Sequence, residues 1–305
     1  MAAVAATRPR GRPFWRTGGF TAALFLLPNL VLGFGLFHLG PVLAALYLSV
    51  LEWDILTPPR FVGLGNYQAL LADKLFWESL KNTAIYSLLA IPPGIAAALA
   101  LALAMNQKIR LVRLYRTAYF VPVVSSMVAV AMVWRWLYNT DFGLLNHLLW
   151  LAGLPIVNWL GDPWIALPSV ALMSIWKGMG YNMVIFLAGL QGIPRHLYEA
   201  AELDGAGRWA RFWKITLPLL SPSLFFVAVM SVISSFQVFD QVFIMTQGGP
   251  GTATTVYNYY LYKNAFTWLK MGYAASLAYV LFAVIFLITL FQVRFLGGRV
   301  QYEAG

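Results

Sequence analysis

Six apolar runs divide this chain, at about 20–50, 82–105, 117–138, 166–190, 217–246 and 273–294. Each is long enough to cross a bilayer as a helix, because about 20 residues at 1.5 Å rise span the hydrocarbon core. Inside lipid a backbone must satisfy its own hydrogen bonds, and a run without alternating polarity does so only as a helix. The composition agrees: 60% of the 305 residues are apolar and 10% are charged, against about 25% charged in a soluble domain. These runs predict an all-α, polytopic membrane protein with six transmembrane helices. The first run exceeds one straight span, so Pro28 and Gly40-Pro41 are expected kink points. The basic leader reaches Arg16 and the run behind it is too long for the apolar core of a signal peptide, so a cleaved signal is not expected.

The formal net charge is +10. That charge lies in loops between apolar runs and not on one soluble face, which argues against a nucleic-acid partner. Lys and Arg are concentrated on the same side of the membrane as the N-terminus. With that terminus inside, fourteen fall in cytoplasmic segments, including Arg8, Arg10, Arg12, Arg16, Arg110, Arg113, Arg195 and Arg208. Five fall outside: Arg60, Lys74, Lys81, Lys263 and Lys270. Arg135 sits near the outer end of the third run and Lys177 within the fourth. Both termini are therefore expected in the cytoplasm. The organisation that follows is a cytoplasmic basic segment over 1–19, a transmembrane domain over 20–296 and a cytoplasmic tail over 297–305.

One polar island, Glu199–Pro222, separates the fourth and fifth runs. It reads Glu199-Ala200-Ala201, three residues, Gly205, nine residues, Ile215, one residue, Leu217-Pro218. Pro194 suits the first turn of a short helix over about 194–203. Ala200 and Ala201 leave a shallow surface that another protein can approach. Asp204 is expected to cap the next helix, Gly205 to supply a tight turn, and Leu217-Pro218 to open the fifth span. Trp209, Phe212 and Trp213 offer large apolar contacts beside Arg208, Arg211 and Lys214. The same pattern suits a helix–turn–helix lying at the lipid headgroups.

The island resembles the coupling loop of permease subunits in bacterial ABC importers, where it docks on the ATPase subunit. The resemblance covers nearly the whole chain after about residue 20. Gly63–Tyr67, Asn82-Thr83, Asn139–Leu145, Trp159–Pro163 and Phe236–Pro250 are similar to segments of the first permease subunit of carbohydrate importers, the maltose, lactose and glycerol-3-phosphate class. It implies the type I importer permease fold in its minimal six-helix form, with a coupling loop over 191–217. The ATPase-contacting residues would be Glu199, Ala200, Ala201, Asp204, Gly205, Ile215, Leu217 and Pro218. The implied partners are a second, homologous permease in a heterodimer, two ATPase subunits and an external solute-binding protein, in the lipid of a bacterial inner membrane.

The chain has no Gly-x-x-x-x-Gly-Lys-Ser/Thr loop to hold nucleotide phosphates. ATP and magnesium belong to the partner, and no cofactor is expected in this chain. His38, His147 and His196 are far apart and there is no cysteine, so no metal site is expected. Nothing marks the chain as an enzyme; catalytic residues: none.

Polar residues within spans mark a candidate pathway. Ser174, Lys177, Gly178 and Tyr181 follow i, i+3, i+4, i+7 spacing, with Asn182 beside them. In the fifth span Ser231, Ser234, Gln237 and Gln241 fall within about a third of the helix circumference, with Asp240 at the margin. Hydroxyls, amides and an aromatic ring are what a sugar needs; equally, Ser and Gln bond neighbouring helices in membranes. Lys177 either meets solute or pairs with an acidic group as a latch. In the family that the chain resembles, these two helices line the pathway. Gly248-Gly249-Pro250-Gly251 marks an external turn, and Leu51–Lys81 an interfacial stretch at the outer leaflet. The reading is a sugar-importer permease. An importer permease for another solute, such as glycerol-3-phosphate or its diesters, is the alternative. An ion-gradient carrier is disfavoured because broken helices and repeats are its usual mark.

Overall fold

The computed structural model describes residues 18–107 and 110–296; the expected basic leader up to Thr17, the tail over 297–305 and Lys108 lie outside the described residues. The architecture is helical. The first run is α1 (Gly18–Pro28), a wide-turn π-helical stretch (Asn29–Leu39) and α2 (Gly40–Ser49). Pro28 and Gly40-Pro41 bound the π-helical stretch, and Ala22–Ser49 continues through it as one helix. A two-residue antiparallel pair follows, β1 (Leu51–Glu52) on β2 (Arg60–Phe61), then the short α3 (Gly65–Ala72). Among the described residues four helices are long and apolar enough to span a membrane unbroken, and six if two bent pairs each count as one span.

The second run becomes α4 (Lys74–Met105), 32 residues, or about 48 Å, far longer than the ~30 Å hydrocarbon core. Its start is fixed by Asp73, whose Oδ1 accepts from the Leu75 amide at 2.8 Å. The fourth run becomes α8 (Ala166–Gly192). It stops where Pro194 forces Ile193 into an extended conformation (ψ 122°). α4 and α8 pack against each other along their length and form the axis of the bundle. At one end Tyr86 packs with Leu167, Val170 and Met173. At the other, Ala98, Ala102 and Met105 meet Met183, Phe186 and Leu190.

The third run is not one straight helix. It divides into α5 (Val112–Val124) and α6 (Met127–Leu137), bent by 100° at Ser125-Ser126. Both serines are extended, with ψ 146° and 137°. Gly180 of α8 makes this packing possible. A Cβ there would lie 2.0 Å from the Tyr119 carbonyl of α5, far inside contact distance. After α6, the amphipathic α7 (Leu144–Leu151) is tied down by Asn146. That side chain accepts from the Trp159 indole (2.9 Å) and from the Val157 amide (3.1 Å).

The fifth run is also broken. Leu217-Pro218 does not open the span. It ends a helical arm, Arg208–Leu219, and α12 (Ser221–Phe236) leaves that arm at 65°. The arm comprises α10 (Arg208–Arg211), a π-helical stretch (Phe212–Thr216) and α11 (Leu217–Leu219). α12 stops at Phe236, and α13 (Asp240–Met245) restarts after three non-helical residues. The Gly248–Gly251 turn then leads to α14 (Tyr257–Tyr262). Asn82 of α4 holds this turn, donating to the Thr252 (2.9 Å) and Thr255 (3.1 Å) carbonyls. Thr83 Oγ1 accepts from the Tyr257 amide at 2.8 Å. The sixth run is α15 (Met271–Leu296), packed on α2 and α12.

Candidate functional site: a polar pocket between the spans

A pocket of ≈ 280 Å³ opens between α4, α8, α12 and α13. From α8 it takes Ser174, Gly178, Tyr181 and Asn182, and from α12 Ser231 and Ser234. Their helical spacing turns one stripe of each helix toward the cavity. Gln241 closes it from α13, buried at 7% exposure. Its Nε2 donates to Tyr86 Oη and to Ser174 Oγ, both at 3.2 Å. Both amide hydrogens are thereby used, and Oε1 makes no hydrogen bond among the described residues. Ser174 Oγ in turn donates to the Val170 carbonyl at 2.9 Å. The lining includes no charged side chain.

Tyr181, Asn182, Ser231 and Ser234 make no side-chain hydrogen bond among the described residues. Within the described residues they bridge no neighbouring helix. Tyr86 and Ser235 were not anticipated. Tyr86 lies in an apolar run, where a tyrosine reads as packing. Ser235 is buried and accepts from Ser87 Oγ at 2.9 Å.

Three expected pathway residues lie elsewhere. Lys177 turns away from its helical neighbours, and its Nζ donates to the Val123 carbonyl at 3.4 Å. That carbonyl belongs to the last turn of α5, which has no following turn to satisfy it. Neither ion pair among the described residues involves Lys177. Gln237 and Asp240 are exposed and do not line the pocket. The shared arc assumed a continuous helix, but Gln237 is where α12 ends (φ −94°, ψ 10°), and Phe239 adopts φ −147°, ψ −61°. Gln241 reaches Ser231 and Ser234 across that break. Broken spans thus occur here too, so they do not separate this chain from gradient-driven carriers.

At the other end of α8, α9 (Arg195–Leu203) follows Pro194 with no buried residue. Asp204 does not cap the next helix; it ends α9, and Gly207 precedes α10. The turn is a left-handed cap. Gly205 has φ +75°, its amide donates to the Glu202 carbonyl (3.0 Å), and the Ala206 amide to the Ala201 carbonyl (2.8 Å). Tyr198 Oη and Thr216 Oγ1 are 2.9 Å apart and join the two arms. Arg211 pairs with Glu202 across them, and Arg195 with Glu199 at 2.9 Å within α9. Ala200 is exposed and Ala201 half-buried, as are Ile215, Leu217 and Pro218. Leu203, Trp209 and Trp213 stand out at 90%, 75% and 59% exposure.

Residues 90–302 match the family model of the binding-protein-dependent transport system inner membrane component. The probable ABC transporter permease protein YesP of Bacillus subtilis is 38% identical over 279 residues, covering 90% of each chain. The lactose transport system permease protein LacF of Rhizobium radiobacter is 35% identical over 275 residues, covering 88% of this chain and 91% of that one. Among solved structures, a chain of a bacterial alginate ABC transporter, in complex with alginate pentasaccharide-bound periplasmic protein, superposes with a TM-score of 0.81. It covers 93% of this chain and 96% of its own at 24% identity, a likeness of fold. The chain belongs to the family of binding-protein-dependent transport system inner membrane components, the permease subunits of ABC importers.

Proposed function

We propose that this permease subunit translocates a neutral sugar through the pocket between α4, α8, α12 and α13. The observation that supports the reading is the set of unpartnered polar groups on Tyr181, Asn182, Ser231 and Ser234, around a buried Gln241. Ring and hydroxyls together match a pyranose: its C–H face rests on an aromatic, and its OH groups need both donors and acceptors. A phosphorylated solute is disfavoured, because the lining carries no cation and Lys177 is engaged with Val123. A carbohydrate also accords with the lactose permease among the relatives.

In this reading the Gly205 end faces the cytoplasm and both termini lie there, as the Lys and Arg distribution implies. α9 and the Arg208–Leu219 arm form a stiff elbow. Exposed Leu203, Trp209 and Trp213 present apolar anchors to one of two ATPase subunits, with Ala200 permitting close approach. ATP and magnesium are bound there. The 65° joint at Leu220 passes the motion of the elbow directly to α12, which carries Ser231 and Ser234. A second permease completes the cavity, and an external binding protein delivers the solute.

The test is reconstitution of the chain with its second permease, ATPase and binding protein in liposomes. ATP-dependent sugar uptake is expected. Gly205→Pro should abolish it and weaken ATPase capture, because proline cannot adopt φ +75°. Normal uptake and capture in that variant would contradict the coupling role.

A further inference from the structure

A larger cavity, ≈ 600 Å³, lies away from the translocation pocket, at the end of the bundle opposite Gly205. It is an open cleft lined by the β1–β2 pair, α3, Tyr260 of α14, the π-helical stretch Lys263–Thr267 that follows it, and the start of α15. Its walls combine Trp53, Tyr260, Trp268 and Tyr273 with the acids Glu52, Asp54 and Asp73. Arg60 and Lys270 add two cations.

The frame of this cavity is well fixed. Asp73 Oδ2 accepts from Tyr260 and from Tyr273 (2.7 Å), while its Oδ1 caps α4. Burial raises the Asp73 pKa, but the hydrogen bonds from Tyr260, Tyr273 and the Leu75 amide outweigh it, and the net shift is downward. Asn66 Nδ2 donates to the Ser49 (2.9 Å) and Leu51 (2.8 Å) carbonyls. Trp268 packs edge-on to Tyr260 at 6.0 Å and has the Lys263 ammonium 5.1 Å from its centroid.

Part of the remaining wall is uncommitted, although Asp54 Oδ1 accepts from the Thr57 amide (2.8 Å) and hydroxyl (2.7 Å). Glu52 faces Arg60 in the strand register, yet they form no ion pair. Lys270 forms none, and the indole N–H groups of Trp53 and Trp268 make no hydrogen bond among the described residues. Aromatic faces, planar carboxylates and free donors, in a cavity of ligand size, are the chemistry that grips a polyol ring. Its C–H face stacks on an indole and its vicinal hydroxyls bridge a carboxylate and a cation.

We infer that this cavity is a second saccharide-binding site, separate from the pocket between the spans and gripping sugar through Glu52, Asp54 and Trp268. It does not depend on the translocation pathway proposed above.

The test is saturation-transfer NMR on the full chain in nanodiscs, with glucose, lactose and raffinose as probes. At least one sugar should receive transfer. Glu52→Gln and Trp268→Ala, both at exposed positions, should lower its affinity about tenfold. Gln241→Leu, in the other pocket, should leave this transfer in place; if it alone removes the signal, sugar binds only between the spans and the inference fails. No transfer from any of the three sugars overturns it as well. So does unchanged transfer in both outer variants, or an effect of those variants on capture of the external binding protein alone, which would make the cavity a protein-docking surface. None of these failures touches the uptake assay, so the two proposals are judged separately.

Discussion

The Lys177 ammonium hydrogen-bonds the Val123 carbonyl, 3.4 Å away, where the third apolar run breaks. A cation at the C-terminal end of a helix satisfies an orphan carbonyl and complements the helix dipole. Hence we propose that Lys177 stabilises the α5–α6 break rather than reading the solute. Lys177→Met should lower thermal stability by about 1–2 kcal/mol, the low side for a charged hydrogen bond of this length. The sugar concentration for half-maximal uptake should not change. A large rise in that concentration with unchanged melting would return Lys177 to the pathway.

Gln241 and Gln237 give a paired test. A continuous helix would treat them alike, whereas the break at Phe236 buries one and exposes the other. Gln241→Leu should lower sugar uptake roughly five- to hundredfold, the effect of about 1–3 kcal/mol of lost hydrogen bonding. Gln237→Leu should leave uptake within about twofold, as expected of a residue outside the pocket. Equal losses in both variants would contradict the assignment.

Much of this architecture was legible in the residues. α8 ends at Gly192 because Pro194 is visible and its steric effect on Ile193 is local. The Gly205 turn was legible for the same reason. The break at Ser125-Ser126 was not. Apolar content continues through it, and two serines within a membrane run read as ordinary helix residues. Nor was the end of α12 at Phe236, which put Gln237 and Asp240 on an arc that does not exist. Tyr86 was hidden because its value lies in a contact with Gln241, 155 positions away, and sequence periodicity carries no such information. Each miss arises where tertiary packing overrides a local pattern.

Asp73 supplies a pH-dependent prediction. Its folded pKa is depressed, so its stabilisation is complete above the unfolded value of about 3.9 and is lost as pH falls through the folded value. Asp73→Asn should melt below the wild type at pH 7, and the gap should narrow on acidification to about pH 3. Thermal unfolding in nanodiscs at the two pH values checks this. A gap of constant size would mean that the carboxylate charge contributes nothing to the Tyr260–Asp73–Tyr273 cluster.

The central claim is that sugar passes the face of α12 carrying Ser231. The chain has no cysteine, so Ser231→Cys places one unique thiol in the pocket. The measurement is its rate of modification by a methanethiosulfonate reagent in the complete, reconstituted transporter, with and without transported sugar. Sugar at about ten times its Kd should slow modification about tenfold, because protection scales as 1 + [L]/Kd, and the modified transporter should stop taking up sugar. A rate indifferent to sugar, with uptake intact after modification, would contradict the account.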